Sequence, residues 1–251
     1  EMYESFIAFV KKAQATVFNS SNVTVSVASP QLNDSVYEIF NMLNKNVDVE
    51  YPDYVELELD TTVKNEAIQI PGGVSYAALA DNVYNYDIAP NGKMKALAQL
   101  MSYQYLWNEI RVLGGAYGCG FMVANNGNMM FHSYRDPNPA NSQKVFKKGS
   151  RFIKEYCKND ENFEKIIISA AASLEPLLDV RNEQQFADMD YFCGITYEDK
   201  CRIKKELLEM KKEDLLDFCS VLDTIAENGF VCTVAPKAHI DSLDVDKTYT
   251  L

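Results

Sequence analysis

The sequence predicts an α+β fold: a mostly antiparallel or mixed sheet with helices layered on one face. Three observations carry this. An Asn-Gly turn at 125–127 joins apolar runs at 120–124 and 129–134, the strongest short-range hairpin signal, because both residues tolerate positive φ. Residues 93–112 carry an apolar stripe at spacings of three and four, the mark of a helix facing a core. Helical patterns then fill most of 140–228 before a last strand at 229–234, so strands and helices do not alternate strictly.

Bulk properties narrow the function classes. The chain has 251 residues, 47% apolar and 24% charged, enough for one large or two small domains with a substantial core. No apolar run nears the ~20 residues of a membrane helix, so no membrane partner is expected. A formal net charge of −12 argues against nucleic acid, whose backbone is bound through clustered Lys and Arg. Six cysteines, at 119, 157, 193, 201, 219 and 232, include no Cys-x-x-Cys pair. They read as reduced core thiols and favour a soluble, cytoplasmic protein over a structural zinc site.

Taken in order, residues 1–18 pattern as an amphipathic helix with Phe6, Phe9, Val10, Ala13 and Val17 on one face, with no basic leader. Residues 22–28 (NVTVSVA) alternate β-branched with smaller residues and read as a strand. Asp34 is placed to cap a helix running to about residue 44, while the acidic stretch 46–65 carries no assignable pattern. Residues 66–80 read as one strand broken by Pro-Gly-Gly, with Val74, Tyr76, Ala78 and Ala80 keeping period two beyond the break. In the 93–112 helix, Ala96, Leu100, Tyr103, Trp107 and Ile110 form the core-facing stripe, and Gly114-Gly115 ends it. After the hairpin, Pro137-Asn138-Pro139 stops the second strand. Helices are expected at 140–157, 161–178, 183–188, 198–211 and 213–228, then a strand at 229–234 and a polar tail.

Candidate chemistry is sparse. The two histidines, His132 and His239, fall in different elements and outside any His-x-x-His or His-x-x-Glu-His pattern, so no metal ligands are expected in this chain. His132 reads as a hairpin residue and His239 as a surface residue of the tail. The run LGGAYGCGF at 113–121 lacks the Gly-Lys-Ser/Thr ending of a phosphate loop and follows a helix, the reverse of a dinucleotide fold. A helix cap and a tight turn explain part of its glycine content. Four glycines within 114–120, around Tyr117 and one turn after Arg111, also describe a ligand-facing loop. In Ser133-Tyr134-Arg135-Asp136-Pro137, Arg135 and Asp136 are expected to pair or to cap the next helix, and no neighbouring base activates Ser133. No catalytic residue is therefore assigned to this chain.

Residues 107–118 (WNEIRVLGGAYG), continuing as CGFM, together with SYRDP at 133–137, resemble the C-terminal half of the pitrilysin/insulinase superfamily of zinc peptidases, in its presequence protease branch. NVTVSVA resembles the opening strand of the last of that family's four related α/β domains. The resemblance implies a metallohydrolase-like domain, with residues 1–20 a connecting helix from the preceding domain and residues 21–251 the C-terminal domain. It also implies that zinc lies in the N-terminal half of the parent enzyme, held by an inverted His-x-x-Glu-His motif that is absent here.

By the same resemblance, Arg111 and Tyr117 are substrate-binding residues facing that catalytic half, and Tyr117 supports the transition state in the full enzyme. The roles fit the groups: an Arg fork suits peptide carbonyls, and a phenol can donate to a developing oxyanion. The expected partners are the catalytic N-terminal half of the same polypeptide and a short unstructured peptide. The alternative is a non-catalytic scaffold or interaction domain of the same fold. The isolated chain is expected to be inactive.

Overall fold

The computed structural model describes residues 2–18, 24–31, 33–43, 62–159 and 162–250, and the chain divides into two compact units. The smaller unit comprises 1–59 and 177–196. It contains helices Met2–Val17, Asp34–Leu43 and Val180–Cys193. Asn33 rather than Asp34 caps the second helix, its Oδ1 accepting from the Ser35 amide at 2.7 Å. The third starts on Asp179, whose carboxylate accepts from the Asn182 amide, and ends at Gly194 with φ 64°. Its observed span exceeds the expected 183–188. The apolar face of the first helix is exposed here, Phe6 and Phe9 included.

The strand expected at 22–28 is corrected where it is described: residues 24–29 carry no ladder. Alternation favours an extended chain, but a strand requires a partner. Ser26 instead engages side chains, donating to Asp188 and accepting from Gln184. The unassigned stretch 46–65 lies outside the described residues up to 61.

The larger unit (60–176 and 197–251) holds one six-stranded sheet. Its strands are β1 Asn65–Gln69, β2 Ser75–Asn82, β3 Gly118–Val123, β4 Asn128–Asp136, β5 Phe230–Ala235 and β6 Lys247–Thr250, in the order β3-β4-β2-β5-β1-β6. The first four neighbours pair antiparallel, whereas β1 pairs parallel with both β5 and β6. The sheet is thus mixed, as expected. Two details differ. β1 and β2 are not one broken strand, because β5 lies between them and the Pro-Gly-Gly segment is a connection. The polar tail is also structured, with a short helix Lys237–Ile240 and then β6 as a sheet edge.

One face of the sheet carries the core. Along β2, Ala77 and Leu79 are buried while Tyr76, Ala78 and Ala80 are only half-buried, the period-two signature of a sheet covered on one side. Phe121, Phe131 and Met129 join them beneath Leu97, Leu100, Leu106 and Phe146. The edge strand β3 is tied to the covering helix. The Phe121 amide donates to Ser102 Oγ at 2.9 Å, that hydroxyl donates to the Phe121 carbonyl at 3.0 Å, and Lys95 Nζ reaches the Val123 carbonyl.

That covering helix corrects the predicted stripe. Residues Lys93–Leu100 are α-helical, but Met101–Val112 form a π-helix. Ala96, Leu100 and Ile110 are buried as expected, whereas Tyr103 is 56% and Trp107 37% exposed. Wider i→i+5 winding rotates the stripe, so burial passes to Met101, Tyr105, Leu106 and Ile110, at steps of four, one and four. Farther on, the expected 140–157 helix is two, Pro139–Phe146 and Gly149–Lys158. The break falls where Gly149 crosses the core, since a Cβ there would meet Met101 Cε at 2.9 Å. The other helices are Glu164–Leu174, Tyr197–Leu208 and Cys219–Asn228, the last preceded by a 3-10 turn, Lys212–Phe218. The cysteines also divide: Cys219 is buried, but Cys193 and Cys201 are exposed rather than core thiols.

Candidate functional site

The π-helix ends at Val112, and the chain reverses over Gly114-Gly115. The Gly115 amide donates to the Arg111 carbonyl and the Ala116 amide to that of Ile110, both at 3.1 Å. These bonds satisfy carbonyls a helix end leaves open. Gly115 has φ 80°, a region that L side chains adopt at a cost. Ala116 is then buried as an anchor, and the Tyr117 amide donates to the Arg135 carbonyl at 3.3 Å. The next residue begins β3.

Arg111 and Tyr117 meet at this turn. The Arg111 guanidinium carbon lies 4.1 Å from the centre of the Trp107 ring and 5.8 Å from that of Tyr117, within cation–π range of both. Trp107 in turn stacks on Tyr103 at 6.4 Å. The π winding that takes Trp107 out of the core makes it a shelf for Arg111. Tyr117 is 66% exposed. The two residues expected to face a ligand therefore stand together at an open surface.

The hairpin supplies residues that sequence reasoning missed. Tyr134 lies 6.0 Å from Tyr117 and 5.3 Å from Tyr76, ring centre to ring centre, so three tyrosines form a row on the uncovered face. The Arg135 guanidinium carbon stands 5.9 Å from the Tyr134 ring. Arg135 also has φ 47°, uncommon for a residue with a side chain. The available signal was the pairing of aromatic with cation at 134–135. It lacked weight because β4 was expected to end at Tyr134, whereas it continues to Asp136.

Asp136 is turned inward. One carboxylate oxygen accepts from the Asn138 amide at 2.8 Å, so it braces the turn before the next helix and forms no ion pair with Arg135. Its other oxygen, like the hydroxyl of buried Ser133, has no hydrogen-bond partner in the structure. Cys119 shares this neighbourhood: burial pushes its thiol up, and the adjacent Arg111 partly offsets that.

The histidines do not converge. His132 packs over Gly120 in β3 and has Ala78 as its β2 register partner, and burial holds its pKa below the usual 6.5. His239 is not a free tail residue: its Nδ1 lies 2.6 Å from the hydroxyl of Ser75, which is buried on the other side of β2. Among the described residues no cluster of three or more His, Cys, Asp or Glu side chains could hold a metal ion. No described helix is long and apolar enough to cross a membrane.

Comparison with known proteins shows what the chain is similar to. Over 236 residues the chain is 23% identical to Protein HypA of Clostridium perfringens, covering 92% of this chain and 24% of that protein. Over 190 residues it is 28% identical to Presequence protease 1, chloroplastic/mitochondrial, of Arabidopsis thaliana, covering 74% of this chain and 17% of that protein. The chain thus spans a quarter or less of the length of these relatives. In fold it is similar to a peptidase M16 inactive domain from Pseudomonas fluorescens, with a TM-score of 0.51 and 15% identity over 82% of this chain and 52% of that one. Residues 65–237, which run from β1 to the start of the last helix and enclose the Arg111–Tyr117 turn, match the PreP C-terminal domain, and the chain belongs to that family.

Proposed function

We propose that this chain is the substrate-binding C-terminal domain of a zinc-dependent peptidase that degrades short unstructured peptides. One observation carries the reading. The Arg111 guanidinium and the exposed Tyr117 ring are brought together at the end of one helix, with Trp107 as a shelf. An Arg fork held this way can grip peptide carbonyls, and a phenol on a glycine-rich turn can donate to an oxyanion as charge develops. Residues 1–20 are the link to the preceding domain and 21–251 the terminal domain. The partner is the catalytic half of the same polypeptide.

Zinc belongs to that other half. His132 and His239 serve different sides of the sheet and do not fit a shared ion, so no step is assigned to a metal here. Six unbridged cysteines favour a reducing compartment such as the cytoplasm, although the Arabidopsis relative is named for chloroplast and mitochondrion.

The test uses the full-length protein. Tyr117→Phe should lower kcat by about 10²–10³ with little change in KM, the usual loss of one oxyanion donor. Arg111→Ala should raise KM and lower kcat together. Melting curves on the same samples exclude unfolding. Folded variants with unchanged kcat and KM would remove both residues from the site.

A further inference from the structure

Arg111 and Arg135 are exposed guanidinium groups in a chain of net charge −12, and neither has an ion-pair partner among the described residues. Each rests near the face of a tyrosine: Arg111 5.8 Å from Tyr117, Arg135 5.9 Å from Tyr134. The two rings are 6.0 Å apart. The Tyr117 amide is bonded to the Arg135 carbonyl, so the two arginine-bearing segments are fixed to each other through backbone. Arg135 is also held at φ 47°. A left-handed conformation at a long side chain costs free energy that glycine would avoid, and such strain persists where the surrounding structure over-determines it. The nearest carboxylate in sequence, Asp136, is buried and turned to the Asn138 amide.

We infer that Arg111 and Arg135 form a carboxylate-binding site beside an aromatic floor of Tyr117, Tyr134 and Tyr76, selecting peptides that carry an acidic group next to an apolar side chain. The inference rests on the reading of this surface as peptide-binding and adds a specificity to it. An Arg fork matches a carboxylate in plane and charge, and its aromatic support limits the rotamer freedom lost on binding. Two unpaired cations also give this edge a local potential opposite to that of the chain as a whole. The carboxylate is either an Asp or Glu side chain or a peptide C-terminus, and the experiment separates these.

Four fluorescent peptides share one sequence and differ as Phe-Glu or Phe-Gln at an internal position and as free acid or amide at the C-terminus. Their affinities for the full-length protein are measured by anisotropy in chelator, so that none is cleaved. The wild type should bind one acid-bearing peptide of a pair about three- to fivefold more tightly than its neutral counterpart, the range for an exposed charge pair. Arg135→Gln should bring that ratio to about one while leaving affinity for the neutral amidated peptide unchanged. Arg135→Gly should lose the ratio equally without lowering the melting temperature, because it relieves the backbone. A ratio carried by the Glu/Gln pair assigns the site to side chains, and one carried by the acid/amide pair assigns it to chain ends. A wild type that discriminates in neither pair, or an Arg135→Gln variant that weakens all four peptides alike, overturns the inference. The neutral amidated peptide separates the two readings: if Arg111→Ala and Tyr117→Phe leave its cleavage unchanged, the peptide-binding reading itself fails.

Discussion

Residues 93–100 and 101–112 belong to one continuous helix, yet they treat their side chains differently. In the α-helical part, Met94, Ala96, Leu97 and Leu100 are buried together at ordinary helical spacing. In the π-helical part, burial moves to Met101, Tyr105, Leu106 and Ile110, and Tyr103, Trp107 and Arg111, four apart, are carried outward. At 3.6 residues per turn, Trp107 and Ile110 would share a face. Wider winding separates them. The first part builds the core. The second builds core on one side and, on the other, the aromatic shelf of the proposed site.

The contrast can be broken by substitution. Leu106→Ala should be the most damaging, costing about 2–5 kcal/mol, because the side chain is wholly buried against the sheet. A denaturant midpoint near wild type would mean the winding is α after all. Trp107→Ala, its sequence neighbour, should cost only ~1 kcal/mol, well below the ~3–5 of a buried ring. It should instead raise KM in the full-length protein by releasing Arg111. A large loss of stability with unchanged KM would return Trp107 to the core. Tyr103→Ala should be milder still, within ~0.5–1 kcal/mol, since it removes one stacking contact at the surface.

The smallest effect concerns pH. Burial lowers the His132 pKa in the folded state below 6.5, so the unfolded chain takes up a proton that the folded chain refuses. Stability should therefore fall as pH drops below 6.5 toward the lower folded value, and be fully present above it. His132→Gln should flatten that slope in melting curves at pH 5–7. An unchanged slope would show that His132 is not its source.

The legible parts of the molecule were those set by neighbours in sequence. The hairpin is present with its turn glycine, Gly127, at φ 87°, and the helix ends at Val112, just before Gly114-Gly115. Arg111 and Tyr117 were nameable because a motif at fixed spacing spans that stop. Other features depended on distant partners. The stretch 24–29 has the alternation of a strand but no ladder, whereas Lys247–Thr250, in a polar tail, is a strand because β1 offers it an edge. His239 was unremarkable until Ser75, far off in sequence, met it.

By itself, then, the sequence determined the fold class, the hairpin and the glycine-ended helix, because periodicity and turn chemistry act within about a dozen residues; it proposed the pair Arg111–Tyr117 through a motif that resembles a family's. Tertiary structure alone decided that β5 lies between β1 and β2, and that the helix widens into a π-helix where Ser102 pins it to β3. It also decided that Tyr134 and Arg135 stand beside Tyr117. Strand order and helix winding are settled by which surfaces must be buried against one another, a competition among segments far apart in the chain that no local pattern records.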